Sequence, residues 1–226
     1  MNLTDLANKF GSDKGTKHGN PPHRYTFLYD LIFHELRERP LNFLELGLAV
    51  GGPELGGPVD RTAAAPSVMM WLEYFPNAHV FGFDISDFSH IRNERFTFVR
   101  GDGGSSDDLE RLAQAAPRYD VIIDDASHAS YHQQLAFKTL FPRLAKDGLY
   151  IIEDLHWQSP FYESKLPRVP KSAEFFGNFF MNGLFVENDL LSRGFMMAAK
   201  ERVHTFSAFP DFTRGGATKM IVLRVL

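Results

Sequence analysis

The feature that most constrains this chain is a repeated pattern, a short apolar run with no polar alternation that ends on an acidic residue. It occurs as NFLELG at 42–47, HVFGFD at 79–84, YDVIIDD at 119–125 and LYIIED at 149–154. A strand with one wet face alternates, whereas runs like these belong to strands covered on both faces, the situation of a parallel sheet between helices. Helix-like stretches separate them: SVMMWLEYF from Ser67, SSDDLERLAQAA from Ser105 and SYHQQLAFKTLFPRLA from Ser130. The alternation predicts an α/β fold, a doubly wound and mostly parallel sheet. FTFVRGD adds a strand at 96–102, and RVHTFSAF and TKMIVLRVL form a closing antiparallel pair at the far end. HRYTFLYDLIFHELRER, 23–39, reads as an amphipathic helix stopped by Pro40.

Composition narrows the chemistry. With 226 residues, 44% of them apolar, the chain can bury the core of one domain without disulfides or structural metal. Its parts read as an N-terminal lid and helix (1–40), a cofactor and metal core (41–156) and an acceptor-shaping segment with the closing strands (157–226). A net charge of −4 and no basic tract argue against nucleic acid as a partner. The absence of an apolar run of about eighteen residues argues against a membrane, and MNLTDLANKFGSDKG lacks the apolar centre of a signal peptide, so the expected location is cytoplasmic. With no cysteine, thiolate metal sites and cysteine nucleophiles are excluded. Any metal must be held by oxygen or imidazole.

In open α/β sheets ligands bind beyond the carboxyl ends of the strands. Glu45 and Gly47 end the first run, Asp84 the second, and Asp102 follows the next strand. Glycine permits close approach to a ligand, and a carboxylate at Asp84 can accept both hydroxyls of a ribose. Each signal also has a plainer reading, as a turn glycine or a helix cap. DDASH at 124–128 and the pair Glu153 and Asp154 end what should be neighbouring strands. At about 4.8 Å between strands, carboxylates from two such ends can converge on one hard cation. Capping by Asp125 or Ser127 is the alternative, with Glu153 and Asp154 as solvated charges.

The segment GLAVGG does not supply the G-x-G-x-x-G of a dinucleotide fold. It looks more like the first motif of class I S-adenosylmethionine (SAM)-dependent methyltransferases, whose broadly seven-stranded, Rossmann-like sheet has an antiparallel last strand. FGSDKGT followed by His and Tyr, then ELG, WLEYFPNAHVFGFDI, GD, VIIDDASH and YIIEDLH, in this order over about 8–156, closely resemble the magnesium-dependent O-methyltransferases of macrolide and related natural-product sugars, the mycinamicin and tylosin tailoring enzymes. The resemblance implies two cofactors, SAM and Mg²⁺. It implies Glu45 and Gly47 near the methionine moiety, with Ser67 and Met69 as neighbours, Asp84 on the ribose and Asp102 near the adenine. It implies metal ligands Asp125, Glu153 and Asp154, with His128 as general base; one branch of the family uses aspartate, and the D-x-x-H spacing favours histidine.

Departures from the family pattern are the long loop 51–66, SVMMW where an arginine-containing SLRMW-like stretch is usual, and the lack of the extra N-terminal domain of the larger macrolide enzymes. The expected partner is a small hydroxylated, sugar-like acceptor. The alternatives are a catechol-type metal-dependent O-methyltransferase, a cephalosporin-tailoring relative or a SAM-binding module without catalysis. SDKGTKH at 12–18 reads as a lid, His132 as a surface or supporting residue, and His156 as a candidate for the acceptor pocket. The phenylalanine-rich EFFGNFFMNGLF, 174–185, reads as a lid or a homo-oligomer interface ahead of simple core, because asparagines and glycines interrupt it.

Overall fold

Two helices precede the first strand, α1 (Leu3–Phe10) and α2 (Thr26–Phe33), the second running into a 3-10 turn at His34–Leu36. The structure, a computed structural model, describes residues 1–49, 53, 64–211 and 215–226, so most of the 51–66 loop lies outside the described residues. The sequence pattern does not announce α1. It starts on Asn2, whose side chain accepts from the Asp5 amide, and stops at Gly11 in the left-handed region, φ 85°. The second helix is shorter than the 23–39 expected, because the backbone before it is already engaged. His23 N donates to Asp13 O at 2.8 Å, Arg24 N to Gly15 O at 3.0 Å and Thr26 N to Lys14 O at 3.1 Å. This pairing of irregular chain delays the helix and holds the 11–25 segment in place.

The elements that follow are β1 (Asn42–Leu46), α3 (Pro66–Tyr74), β2 (His79–Asp84), β3 (Phe96–Arg100), α4 (Ser106–Ala113), β4 (Tyr119–Asp124), α5 (Ser130–Leu140), β5 (Leu144–Ile152), α6 (Pro160–Glu163), α7 (Ser172–Asn182), α8 (Arg193–Arg202), β6 (Val203–Asp211) and β7 (Ala217–Val225). The strands pair in the order β3-β2-β1-β4-β5-β7-β6. The first five are mutually parallel, β7 is antiparallel to β5, and β6 is antiparallel to β7. This is the seven-stranded, mostly parallel sheet with an antiparallel closing pair that the sequence predicts. Among the described residues no helix is long and apolar enough to cross a membrane.

Side chains alternate between the faces of a strand, and each face has its own core. Leu44, Leu46, Ile122, Tyr150 and Ile152 pack with side chains of α4, α5, α7 and α8. Phe43, Val121, Ile123, Leu149 and Ile151 pack with those of α1, α2 and α3, where Trp71 meets Tyr29, Phe33 and Phe43 edge-on or tilted at 4.8–5.9 Å. Burying one such phenylalanine contributes roughly 2–3 kcal/mol. The phenylalanine-rich stretch becomes α7, and Phe175, Phe176 and Phe179 are buried in the first core, so these three serve the core, the role the sequence placed behind a lid or interface, while Met181 and Leu184 of the same stretch are exposed. Its small residues fall outside: a Cβ on Gly177 would meet nothing within 4 Å, and Asn182 is exposed.

Parallel register then fixes where the acidic strand ends stand. Leu46 pairs with Phe83 on one side and Asp124 on the other, and Asp124 pairs with Ile152. One step further lies the row Asp84, Gly47, Asp125, Glu153. Backbone bonds carry the ladder into that row: Gly47 N to Phe83 O at 2.9 Å, Asp125 N to Leu46 O at 2.9 Å and Glu153 N to Asp124 O at 3.0 Å.

Asp124, the last residue of β4, is buried, and its Oδ2 has no hydrogen-bond partner among the described residues. Burial pushes its pKa up to about 7. The folded chain therefore holds this proton where the unfolded chain, titrating near 3.9, has released it. The penalty for ionising it grows as pH rises between those values and is full above the higher one. Asp124→Asn should be more stable than the parent by about 2–4 kcal/mol near pH ~8, with the difference shrinking toward pH ~4. Denaturant unfolding of both proteins across that range checks this; parallel stability profiles would contradict it.

Candidate active site

A cleft of about 540 Å³ opens over the carboxyl edge of the sheet, walled by the 11–23 segment, the ends of the first strands and the chain after β5. Gly47, Ser67, Asp84, Asp125, His128 and Asp154 all line it. Gly47 has φ +83°, and a Cβ there would overlap the Asp125 carbonyl oxygen and lie 2.7 Å from Ala126 Cα. Only glycine lets β1 pass β4 this closely and still turn away. Asp84 is buried and held from both sides, Oδ2 accepting from Leu48 N at 2.8 Å and Oδ1 from Ser86 N at 2.7 Å.

Three residues expected on the cofactor side stand outside the lining: Met69, which is exposed, Asp102 and Glu45. Asp102 is exposed and its Oδ1 accepts from Gly104 N at 2.8 Å, while the neighbouring Gly101 and Gly103 reach the cleft. Glu45 is fully buried beneath it, Oε2 accepting from Ser67 Oγ at 2.6 Å. Burial raises the Glu45 pKa, against the lowering effect of the Lys14 charge and the Ser67 bond.

The carboxylates of the next row gather around a residue that the sequence motifs leave unassigned. The Lys14 ammonium, only 2% exposed, is paired with Asp125, lies 2.9 Å from both oxygens of Glu153 and 3.6 Å from Glu45 Oε1. Burial alone would depress its pKa, but Asp125, Glu153 and Glu45 overcome that and raise it well above the usual value, so it stays charged. Glu153 has no exposure and also accepts from the Tyr29 hydroxyl; burial still lifts its pKa to about 7. Burial and the Glu153 charge raise Asp125 as well.

Asp154 faces the cleft from the left-handed region, φ 51°. Its Oδ1 accepts from the Tyr25 hydroxyl at 2.6 Å, and its amide donates to the Tyr25 hydroxyl oxygen at 3.0 Å. Oδ2 lies 3.4 Å from His23 Nδ1 and 3.9 Å from His128 Nε2. Burial would raise its pKa, yet His128, His23 and Tyr25 together bring it below the ordinary carboxylate value. His128 is also left-handed, φ 58°, a strained conformation of the kind that concentrates at functional sites. Its ring meets Trp157 edge-on at 5.6 Å, and burial lowers its pKa.

Ligand atoms of Asp125, His128 and Asp154 lie within 4.8 Å of one another, the group among the described residues able to share a metal ion. Two carboxylates beside a solvent-reaching cleft suit a hard cation that keeps waters or ligand oxygens. Glu153, the third expected ligand, adjoins this group but turns both oxygens to Lys14. His132, read as a surface or supporting residue, is buried and lines the cleft, with Nδ1 2.6 Å from Ser127 Oγ. His156 lies outside the lining, its Nδ1 3.8 Å from Asp154 Oδ1. The 12–18 segment, expected as a lid, forms part of the wall and delivers Lys14. Tyr25 and Tyr29, four residues apart on one helical side, were legible as a pair but had no visible partner in the sequence.

No protein-family model matches the chain. It is 40% identical over 153 residues to the 8-demethyl-8-alpha-L-rhamnosyl tetracenomycin-C 2'-O-methyltransferase of Streptomyces olivaceus, covering 68% of this chain and 37% of that protein. It is 35% identical over 157 residues to the mycinamicin VI 2''-O-methyltransferase of Micromonospora griseorubida, covering 68% and 36%. The chain thus spans little more than a third of the length of these relatives. The MycE methyltransferase from the mycinamycin biosynthetic pathway, solved in complex with Mg and SAH, superposes with a TM-score of 0.72 at 23% identity, covering 100% of this chain and 55% of that one. The resemblance drawn from the motifs is borne out by relatives that are sugar O-methyltransferases, and the fold is the Rossmann-like methyltransferase sheet.

Gly47→Ala should cost about 2–4 kcal/mol of stability, since the residue needs a left-handed backbone and has another backbone against it. Thermal unfolding measures this; a loss below about 0.5 kcal/mol, the range of neutral surface changes, would show that the strand ends separate easily.

Proposed function

We propose that this chain, a member of the natural-product sugar O-methyltransferase family, carries a SAM-dependent, Mg²⁺-dependent O-methyltransferase activity toward a hydroxyl of a sugar on a natural-product glycoside. The observation that carries the reading is the row Asp84, Gly47 and Asp125 at one sheet edge, with Asp154 and His128 across the same cleft. Relatives named as methyltransferases of rhamnosyl tetracenomycin and mycinamicin support the substrate class. Asp84 would receive the ribose hydroxyls, and Glu45, Gly47 and Ser67 would form the methionine side, with Asp102 beside the adenine. Asp125 and Asp154 would hold the ion, joined by Glu153 if Lys14 releases it. When bound, SAM offers an electrophilic methyl group and Mg²⁺ a charge that eases ionisation of a neighbouring hydroxyl.

His128 takes the proton of the acceptor hydroxyl. Its burial keeps it neutral to lower pH than a free imidazole, which makes it a base ready at neutral pH. Asp154, 3.9 Å away, stabilises the imidazolium that results. Trp157, Ser159, Tyr162 and His23 wall the same cleft. This mixture of ring faces and hydrogen-bonding groups suits a sugar, which has apolar CH faces and several hydroxyls, better than the flat apolar slot a catechol asks for.

Turnover of labelled SAM with a panel of deoxysugar glycosides and catechols, with and without EDTA, tests the reading. Methylation of glycosides that chelation abolishes and Mg²⁺ restores is expected; full activity after exhaustive chelation would remove the metal, and preference for catechols would replace the acceptor. Asp84→Ala should weaken SAM binding at least tenfold, through loss of hydrogen bonds worth about 1.5–3 kcal/mol each, and unchanged affinity in calorimetry would refute its role. His128→Ala should keep SAM affinity and lower kcat by about 10² to 10⁴. The parent kcat should fall on the acid side with a midpoint below the reference of about 6.5, because the base is lost on protonation and its pKa is lowered. The same acid limb in His128→Ala would assign the proton elsewhere.

A further inference from the structure

Lys14 lies between Asp125 and Glu153, beside the group of Asp125, His128 and Asp154 that could share a metal ion. Its Nζ is paired with Asp125 and lies 2.9 Å from each oxygen of Glu153, two of the three residues proposed to ligate Mg²⁺. An ammonium and a divalent ion that share these carboxylates at contact distance repel each other in a buried setting, so the two compete for Asp125 and Glu153. A place to retreat is already present. Glu45 Oε1 is buried, has no close hydrogen bond among the described residues and lies 3.6 Å from the same Nζ, with the Trp71 indole beside the carboxylate. Glu45 itself is anchored from its other oxygen by Ser67, so the acceptor is fixed whether or not lysine reaches it.

We infer that Lys14 is a movable counter-cation, which holds Asp125 and Glu153 in the metal-free protein and passes to Glu45 when a divalent ion takes them. The inference rests on the proposed metal reading and adds to it a positioning residue from the N-terminal segment. The backbone around Lys14 need not move. Its carbonyl accepts from Thr26 N at 3.1 Å, and Gly15 packs so closely that a Cβ would lie 2.7 Å from Asn8 Oδ1. With the main chain pinned, the exchange is a side-chain shift toward Glu45. The carboxylates stay compensated throughout, so the site keeps its shape before the ion arrives, and lysine competition lowers its affinity for the ion.

The consequence has an unusual sign. Lys14→Met removes a competitor, so calorimetric titration with MgCl₂ alone at mildly alkaline pH should show Mg²⁺ binding at least about tenfold tighter than in the parent. Lys14→Arg, which keeps the charge, should show no such gain. Glu45→Gln removes the retreat and should weaken Mg²⁺ binding in the parent but have much less effect in the Lys14→Met background, a non-additivity that a purely structural lysine would not produce. In the parent, NMR of isotope-labelled lysine should show the Lys14 signal shifting as MgCl₂ is added, a measurement that needs no variant to fold. Equal or weaker Mg²⁺ binding in folded Lys14→Met, or a Lys14 signal unmoved at metal saturation, would overturn the inference while leaving the metal in place. No Mg²⁺ binding by parent or variant would overturn it together with the metal part of the proposed function.

Discussion

The backbone ladder between the parallel strands is the constraint from which the rest of this site follows. Because β1, β2, β4 and β5 run the same way and pair in the register Phe83, Leu46, Asp124, Ile152, the residues one step beyond must stand side by side. Three further amide bonds at 2.9–3.0 Å hold that next row to the sheet. A shift of one residue in any strand would turn its acid to the opposite core. Gly47 is the member of the row that makes the approach sterically feasible, and its acids are the groups that make it chemically useful.

Gathering acids at a dry edge creates an electrostatic problem that the molecule answers from outside the sheet. Glu45, Asp125 and Glu153 lie on the side of α1 and α2, and an uncompensated cluster there would cost several kcal/mol or take up protons. Lys14 supplies one charge for three carboxylates, and the hydroxyls of Tyr25 and Tyr29 bond Asp154 and Glu153. One cation is not enough to restore ordinary acidity, which is why Glu153 still sits near 7. Such a cluster has negative charge to spare for a further cation, and the open side of the cleft admits one between Asp125 and Asp154.

The sequence carried the sheet well because its signals are local. An apolar run capped by an acid names both a buried strand and its carboxyl end, so the order of residues alone places Asp84, Asp125 and Asp154 at a cleft. The antiparallel pair was legible for the same reason, as two apolar segments with nothing helical between them. Lys14 was not, since a lysine in a glycine-rich stretch looks like any solvated charge, and its partners are 31 to 139 residues away. Nor could the pattern tell that Glu153 turns inward while Asp154 turns to the cleft, because that depends on the left-handed residue ending the strand. The phenylalanine stretch misled for a different reason: interrupting glycines and asparagines suggested a surface role, whereas helical spacing puts Phe175, Phe176 and Phe179 on one buried side.

The two walls of the cleft come from segments far apart in the chain, and Asp154 joins them. Tyr25 and His23 reach it from the N-terminal side, and His128 reaches it from the β4 end, with Trp157 packed on the imidazole from the chain after β5. His128, Asp154 and the wall after β5 are therefore mechanically linked, and a change in the 157–162 wall also moves the ring against which His128 rests. The Asp84 and Gly47 side of the cleft is insulated from such changes, since both residues are held by backbone bonds of the sheet and its adjoining turns. On the proposed function, this division lets acceptor preference vary with the outer segments while the methyl-donor side stays fixed by the parallel register.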